Sequence, residues 1–455
     1  MMIKDMLSRV NILIFGTGNL YQKYKNRFKF HNILALIDNS LEKQGKYIDG
    51  KKIISPSDIQ QYEFNYIVIL VQQYENIYQQ LLKIGIPLEK IITIDPEGLF
   101  GNFREIKGDI YNDTADILLV SHEMNLRGAP LMLYETAKIL RENGFEISIA
   151  TTKEGELQQY YFDLGVSVYE FDDFKFSSKE VKDIFGKYKV VFVNTLALSD
   201  LIYQLESHIS NIIWWLHEEW SAYDILKPNR KLQFDNNVKV FGVGKRAIEA
   251  FGDYYGHDIL IRNLLWGIKD EYSMSYNYNE KLIFAVIGEV CKIKGQDILI
   301  DVVECNYQNI IDSVEFWIIG QVDQEIKKTF QKYNCFKVLG QMKHQEVMDL
   351  YKKVDVVLST SRNDTMPVVL IEGLMNKKLV MTSTGTGVSN YIINHYNGIV
   401  YESEDVLNIS REIFWIINNT SKLNEIKKQG YRLYKQEFSI NSFQEKLLEI
   451  IRWFV

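Results

Sequence analysis

Short runs of β-branched and aromatic residues alternate with helix-length segments along almost the whole chain. The runs are Asn11–Phe15, Ile33–Ile37, Tyr66–Val71, Asp116–Val120, Val190–Val193, Asn211–Trp215, Val238–Val243, Leu282–Ile287, Val314–Ile319, Asp355–Leu358 and Leu379–Thr382. Several are apolar at consecutive positions, which suits strands buried on both faces. Strand–helix alternation of this kind predicts parallel sheets in an α/β fold. The 455 residues suffice for roughly three domains of about 150 residues each. Two polar stretches mark the breaks, Glu97–Ala115 and Asp270–Glu280. The parts are then 1–108, 109–275 and 276–455.

A hydrophobic content of 46% supplies material for packed cores, so disorder is excluded as the main state. The net charge of −7 argues against a nucleic-acid binder, which needs a basic surface. Three scattered cysteines, Cys291, Cys305 and Cys335, form no disulfide framework and fit a reducing cytosol. The N-terminal run Val10–Phe15 is of strand length, shorter than the apolar region of a secretion signal. Nowhere do about 18 apolar residues follow one another, so any membrane contact is expected to be peripheral.

In the first part, NILIFGTGNL carries a strand into Gly16-x-Gly18, and Asp38 ends the next strand 20 residues after Gly18. Such glycines allow a tight turn and close approach of a phosphate, and such an acid takes a ribose hydroxyl. Gly16, Gly18 and Asp38 are therefore accessory nucleotide-site candidates. Tyr21 stands where a third glycine is usual, which weakens the fingerprint and is expected to hinder close helix–strand packing or pyrophosphate approach. Residues 11–95, above all ILALIDNSLEKQGKYIDGKKIISPSDI, resemble the small Rossmann-like N-terminal domain of bacterial sugar-modifying acetyltransferases. A structural or assembly domain with an empty cleft is the alternative reading.

In the second part, DILLVSHEMNLRGAPL runs from a strand through Gly128-Ala129-Pro130 into a helix, with Pro130 suited to the first helical position. It resembles the first strand–loop–helix of GT-B glycosyltransferases, which places Gly128 at the substrate cleft. The segment NIIWWLHEEW puts His217 at the carboxyl end of a very apolar strand, where α/β sheets bind ligands. In the related enzymes a histidine there approaches the transferred sugar. A satisfied structural histidine is the competing reading, for His217 and for His122 after the first strand of this part.

The third part carries the clearest motifs. FAVIGEVCKIKGQD ends a strand at Gly288 and reaches Lys294-Gly295. STSRNDTMPVVLIEG spaces Asp364 and Glu372 with seven residues between them. LGQMKHQEVMDLYKKVDVVLSTS precedes it, and TSTGTGVSN, containing Gly387, follows. Together these resemble family 4 (group 1 type) of the retaining GT-B glycosyltransferases over about residues 116–440. The resemblance implies that Lys294 holds the donor diphosphate, Asp364 the donor sugar and Glu372 the ribose, with Gly387 in a loop near the phosphates. Pro367 suits the first turn of a helix, which leaves the amides of Val368 and Val369 for an anion. Two positions depart from the family: Glu289 replaces an arginine, and Asn390 an acid.

The expected fold is thus two Rossmann-like domains facing a cleft, a GT-B arrangement, plus an extra N-terminal Rossmann-like α/β domain. The final helix, around Phe443–Val455, is expected to return to the middle domain. The implied function is retaining transfer of a sugar from a nucleotide-sugar to a glycan or lipid-linked acceptor, in the cytoplasm or at its membrane face, as in cell-surface polysaccharide synthesis. No metal or other cofactor is expected, since no Asp-x-Asp follows a strand as in metal-dependent relatives. A homo-oligomer is compatible with the sequence and nucleic acid is not. The alternatives are a sugar-phosphate phosphorylase and a non-catalytic scaffold, the latter favoured by Glu289.

Overall fold

The computed structural model describes residues 10–28, 31–71, 75–87, 90–93, 105–107, 115–171, 184–205, 209, 211–228, 234, 236–272 and 280–454. Most of both expected linkers, 97–115 and 270–280, lies outside the described residues. Contacts group the chain into two compact units. One comprises residues 1–214, 228–238 and 455; the other comprises 215–227 and 239–454.

The first sheet contains β1 (Asn11–Phe15), β2 (Asn32–Ile37), β3 (Tyr47–Ile48), β4 (Lys51–Ile54), β5 (Tyr66–Ile69) and β6 (Ile91–Thr93), in the order β3-β4-β2-β1-β5-β6. All its pairings are parallel except that of the two-residue β3 with β4. Side chains alternate between two apolar layers, Ile12 and Ile14 in one, Leu13 and Phe15 in the other. Tyr21 is buried with Ile12, Ile14 and Phe28. Its ring fills the space between helix Asn19–Tyr24 and the sheet.

The second sheet contains β7 (Glu105–Lys107), β8 (Ile117–Ser121), β9 (Ile147–Thr151), β10 (Ser167–Glu170), β11 (Val190–Asn194), β12 (Ile212–Leu216), β13 (Val238–Gly242) and β14 (Ile261–Asn263). Their order is β14-β13-β12-β11-β8-β9-β10-β7. β7 pairs antiparallel with β10. Helix Gly128–Glu142 starts two residues before Pro130, so the proline takes the third helical position instead of the first. That still falls in the first turn, where a missing N–H breaks no helical bond.

The third sheet contains β15 (Leu282–Ile287), β16 (Val314–Ile319), β17 (Phe336–Gly340), β18 (Val356–Ser359), β19 (Leu379–Ser383) and β20 (Ile399–Tyr401), in the order β17-β16-β15-β18-β19-β20. Every pairing is parallel. Phe284, Val286, Val356, Leu358 and Met381 form one core with helices Gln296–Ile310 and Val406–Asn418. The alternate residues Ala285, Val357 and Val380 are also fully buried, and Gly373 of helix Val368–Met375 lies against Val357 and Val380. Both faces are covered, as the unbroken apolar runs require.

The final helix spans Ile440–Arg452. Phe443 stacks on Trp215 at 5.6 Å, Arg262 lies over the Trp453 ring, and Ile440 donates its N–H to Ile268 O. The C-terminal helix therefore packs on residues of the sequence's middle part, all within the second compact unit.

Candidate donor site

In the third sheet the strand order reverses between β15 and β18, one connection leaving toward β16 and the other toward β19. Ligands of open α/β sheets bind beyond the carboxyl ends of strands at such a point. The loop after β15 delivers Lys294, and the loop after β18 delivers Asp364. Their side chains form an ion pair there, so the cation and the acid singled out in sequence meet each other.

Gly295 makes this meeting possible. Its φ is +68°, and a Cβ would stand 2.2 Å from Thr360 O. Thr360 in turn donates its hydroxyl to Lys294 O at 2.9 Å. The loop after β18 is fastened further by Tyr401, which donates to Ser359 O, and by Ser383, which donates to Ser361 O. Arg362 forks onto Asp297 at 2.8 Å through each terminal nitrogen and also donates to Glu404 at 2.5 Å. These partners hold its guanidinium charge and raise its pKa further, with the Asp297 hydrogen bond the largest cause.

Helix Val368–Met375 follows, with Pro367 as its N-cap. Val368 and Val369 are half-buried in its first turn, where amides have no partner within the helix. Gly387 packs so tightly that a Cβ would stand 1.7 Å from Thr365 O. Its N–H is taken by Asp364 O at 2.9 Å. Gly387 thus shapes the loop around Asp364, and its own amide is engaged within the protein.

Glu372 is 5% exposed. Its Oε2 accepts from the buried Tyr351 hydroxyl at 2.8 Å, and its Oε1 lies 2.9 Å from His344 Nε2. That hydrogen bond raises the His344 pKa, against the opposing effect of burial and aided by the charges of Glu372 and Glu271. Neither His344 nor Tyr351 was singled out in sequence. Both lie on helix His344–Tyr351, and a seven-residue spacing puts them on one helix face.

His217 follows β12 and leans on Trp215, ring centroids 4.5 Å apart. Two residues on, the buried Glu219 accepts from Arg246 at 2.9 Å. Arg246 also donates to Asn363, the neighbour of Asp364. This bridge ties the His217 segment to the Lys294–Asp364 loop and was not legible in sequence. Glu289, at the family's arginine position, is exposed, while its carbonyl accepts from Gln296 at 3.1 Å.

Two further groups of candidates belong to the first compact unit. Gly128 begins its helix exposed, and the adjacent Ala129 O accepts from Asn194 at 2.9 Å. Nearby, His122 Nδ1 is 3.2 Å from the Thr195 hydroxyl, and burial lowers its pKa. In the first sheet, Gly16 (φ +106°), Gly18 and Asp38 line a cavity of about 600 Å³ with Lys43 and Leu70. Asp38 accepts from Thr17, from the Ser40 N–H at 2.9 Å and from Lys43 at 3.0 Å. Burial pushes the Asp38 carboxyl up, but these donors outweigh it and hold the group below its ordinary value. Lys43 was absent from the sequence reading of this site.

Residues 269–433 match the family model Glycosyl transferases group 1, and residues 114–242 match Glycosyl-transferase family 4. The chain carries two glycosyltransferase domains. Residues 8–92, ahead of them, match C2185-like, N-terminal. The uncharacterized glycosyltransferase MJ1178 of Methanocaldococcus jannaschii is 25% identical over 182 residues, 39% of this chain. The match spans 48% of MJ1178, about half its length. The capsular polysaccharide biosynthesis glycosyltransferase CapH of Staphylococcus aureus is 26% identical over 294 residues, covering 59% of this chain and 81% of CapH. Among solved structures, Anabaena Alr3699/HepE in complex with UDP and glucose superposes with a TM-score of 0.59 at 17% identity, over 74% of this chain and 99% of that one. This likeness shows the GT-B fold for the two glycosyltransferase domains.

Proposed function

We propose that the protein transfers a sugar from a nucleotide-sugar donor to a glycan or lipid-linked acceptor, with retention of anomeric configuration, in the synthesis of a cell-surface polysaccharide. The observation that carries this reading is the placement of Lys294 and Asp364 at the reversal point of the third sheet, beside the first turn of the helix that bears Glu372. A nucleotide-sugar needs a cation and free amides for its diphosphate, an acid for sugar hydroxyls and an acid for ribose. The loops after β15 and β18, with helix Val368–Met375, carry these groups within one domain. HepE bound to UDP and glucose, and CapH by its part in capsule synthesis, support the same reading.

In the retaining reaction the acceptor hydroxyl attacks from the face that the nucleotide leaves. The departing phosphate oxygen takes the acceptor's proton, so no separate carboxylate base is required. The protein's task is to stabilise charge that grows on the leaving diphosphate. Lys294 and the amides of Val368 and Val369 are assigned this task, and His217 is assigned to the sugar. Glu372 holds ribose equally before and during reaction. The test is calorimetric titration with sugar nucleotides of uridine, guanosine, thymidine and adenosine. Turnover with the one that binds follows, with the anomeric configuration of the product read by NMR. Binding without transfer to any acceptor extract would favour the scaffold reading, which the carboxylate of Glu289 at the arginine position supports.

A further inference from the structure

The two partners of Glu372 differ in one decisive respect. Tyr351 is fully buried and reaches Oε2 from inside the domain. His344 covers Oε1 from the solvent side, with 70% of its own side chain exposed, whereas the Glu372 side chain is only 7% exposed. An incoming hydroxyl therefore meets Glu372 on the side that His344 occupies. Tyr351 cannot leave without opening the core, while an exposed ring can swing away by side-chain rotation on a fast timescale.

We propose that His344 is a latch on the ribose site: it holds Glu372 while the nucleotide is absent and must release it for ribose hydroxyls to reach the carboxylate, so that nucleotide affinity increases as His344 loses its proton. The proposal rests on Glu372 being the ribose ligand. His344 is a positioning residue, acting through Glu372.

The charges around His344 set the direction. Glu372 faces it from helix Val368–Met375, and Glu271 acts from the segment after β14. On its own helix stand Lys343, the N-cap, and Glu346, whose carboxylate accepts the Lys343 N–H at 2.7 Å, with Tyr351 two turns on. The first turn of that helix and Lys343 oppose a positive ring, but the contact with Glu372 prevails and keeps the proton on His344 to higher pH than usual. A protonated ring makes a charge-assisted bond roughly twice as strong as a neutral one. Acid therefore closes the latch. Release exchanges one hydrogen bond to Glu372 for those of the ribose, and no covalent step is involved.

The experiment is isothermal titration of the full chain from pH 6.0 to 8.5 with UDP-glucose, GDP-mannose, dTDP-glucose and ADP-glucose. Their doubly esterified diphosphates do not titrate in this range. For the tightest of the four, wild-type affinity should rise with pH between the His344 pKa of the complex and that of the free protein, by at most about tenfold per pH unit, and level off above the latter. His344→Ala should bind at least as tightly as wild type at pH 8.5 and lose the pH dependence. His344→Gln, which keeps a donor but cannot titrate, should also be flat. NMR of labelled histidine should show the His344 pKa falling when the nucleotide saturates the protein, since linkage is reciprocal. Affinity independent of pH in wild type, or weaker in His344→Ala throughout, would overturn the latch while leaving the ribose site standing. Binding of none of the four would overturn the ribose-site reading itself, and the latch with it.

Discussion

Lys294 and Asp364 are 70 residues apart in the chain and paired in space, one from the loop after β15 and the other from the loop after β18. Neither strand nor helix propensity brings them together. The reversal of strand order does, because it parts two loops that would otherwise be occupied by crossover helices.

Lys294→Ala should lower kcat by on the order of 10²-fold, the effect of losing one donor that stabilises developing charge. The ion pair is partly solvated, with the lysine side chain 35% exposed, so the melting temperature should change little. Steady-state kinetics with the cognate donor checks this. Near-wild-type kcat and KM would remove Lys294 from the mechanism and point to a site rebuilt around Glu289.

Glu372→Gln should mainly raise the donor KM, because an interaction equal in ground and transition states leaves kcat unchanged. Glu372→Ala adds a stability penalty. It removes the carboxylate that accepts from the buried Tyr351 hydroxyl and leaves that hydroxyl only Val369 O at 3.1 Å, a loss of about 1 kcal/mol. Denaturant titration of the two variants separates the binding effect from the structural one. Equal stability of the two would contradict this assignment.

Two glycines with similar surroundings in sequence should respond in opposite ways to alanine. Gly295 has φ +68° and would place a Cβ 2.2 Å from Thr360 O, so Gly295→Ala should destabilise the domain by about 2 kcal/mol or more. Gly128 starts a helix with nothing within 4 Å of a new Cβ. Gly128→Ala should fold normally, and even gain slightly from helix propensity. Chemical denaturation of both variants decides the contrast.

Lys378 is 8% exposed, and burial, with the charge of Lys427 nearby, lowers its pKa from 10.5 to about 8 despite Asp355. Between those values the unfolded chain holds the proton and the folded one releases it. This residue therefore makes stability rise as pH goes from about 8 to 10.5. In Lys378→Met that component should vanish, and the variant should be more stable than wild type at pH 7. Urea midpoints at pH 7 and 10 for both proteins test it. A parallel rise in the two would refute the assignment.

Much of the fold was readable because strands buried on both faces leave an unbroken apolar signature, as in β8, β11, β12 and β15. The short edge strands β3 and β14 gave no such run, since an edge has little surface to bury. β9 was missed for another reason. Its Ser148 and Thr151 interrupt the apolar pattern, although both are buried.

The local chemistry was already written among neighbouring residues. The spacing of Asp364 and Glu372 brackets one helix start, Pro367 ends the loop before it, and Lys294-Gly295 marks a turn with an obligatory glycine. These are relations among neighbours, set by backbone geometry within a few residues. Tertiary structure alone decided the partners. His344 and Tyr351 reach Glu372 from another helix, Arg246 joins Glu219 to Asn363, itself 117 residues from Arg246, and Lys43 closes on Asp38 and Thr17. The reason is physical. A side-chain contact between distant segments depends on how helices and strands pack, and that is fixed by the burial of whole cores, to which the polar residues that meet at the surface of the sheet contribute almost nothing.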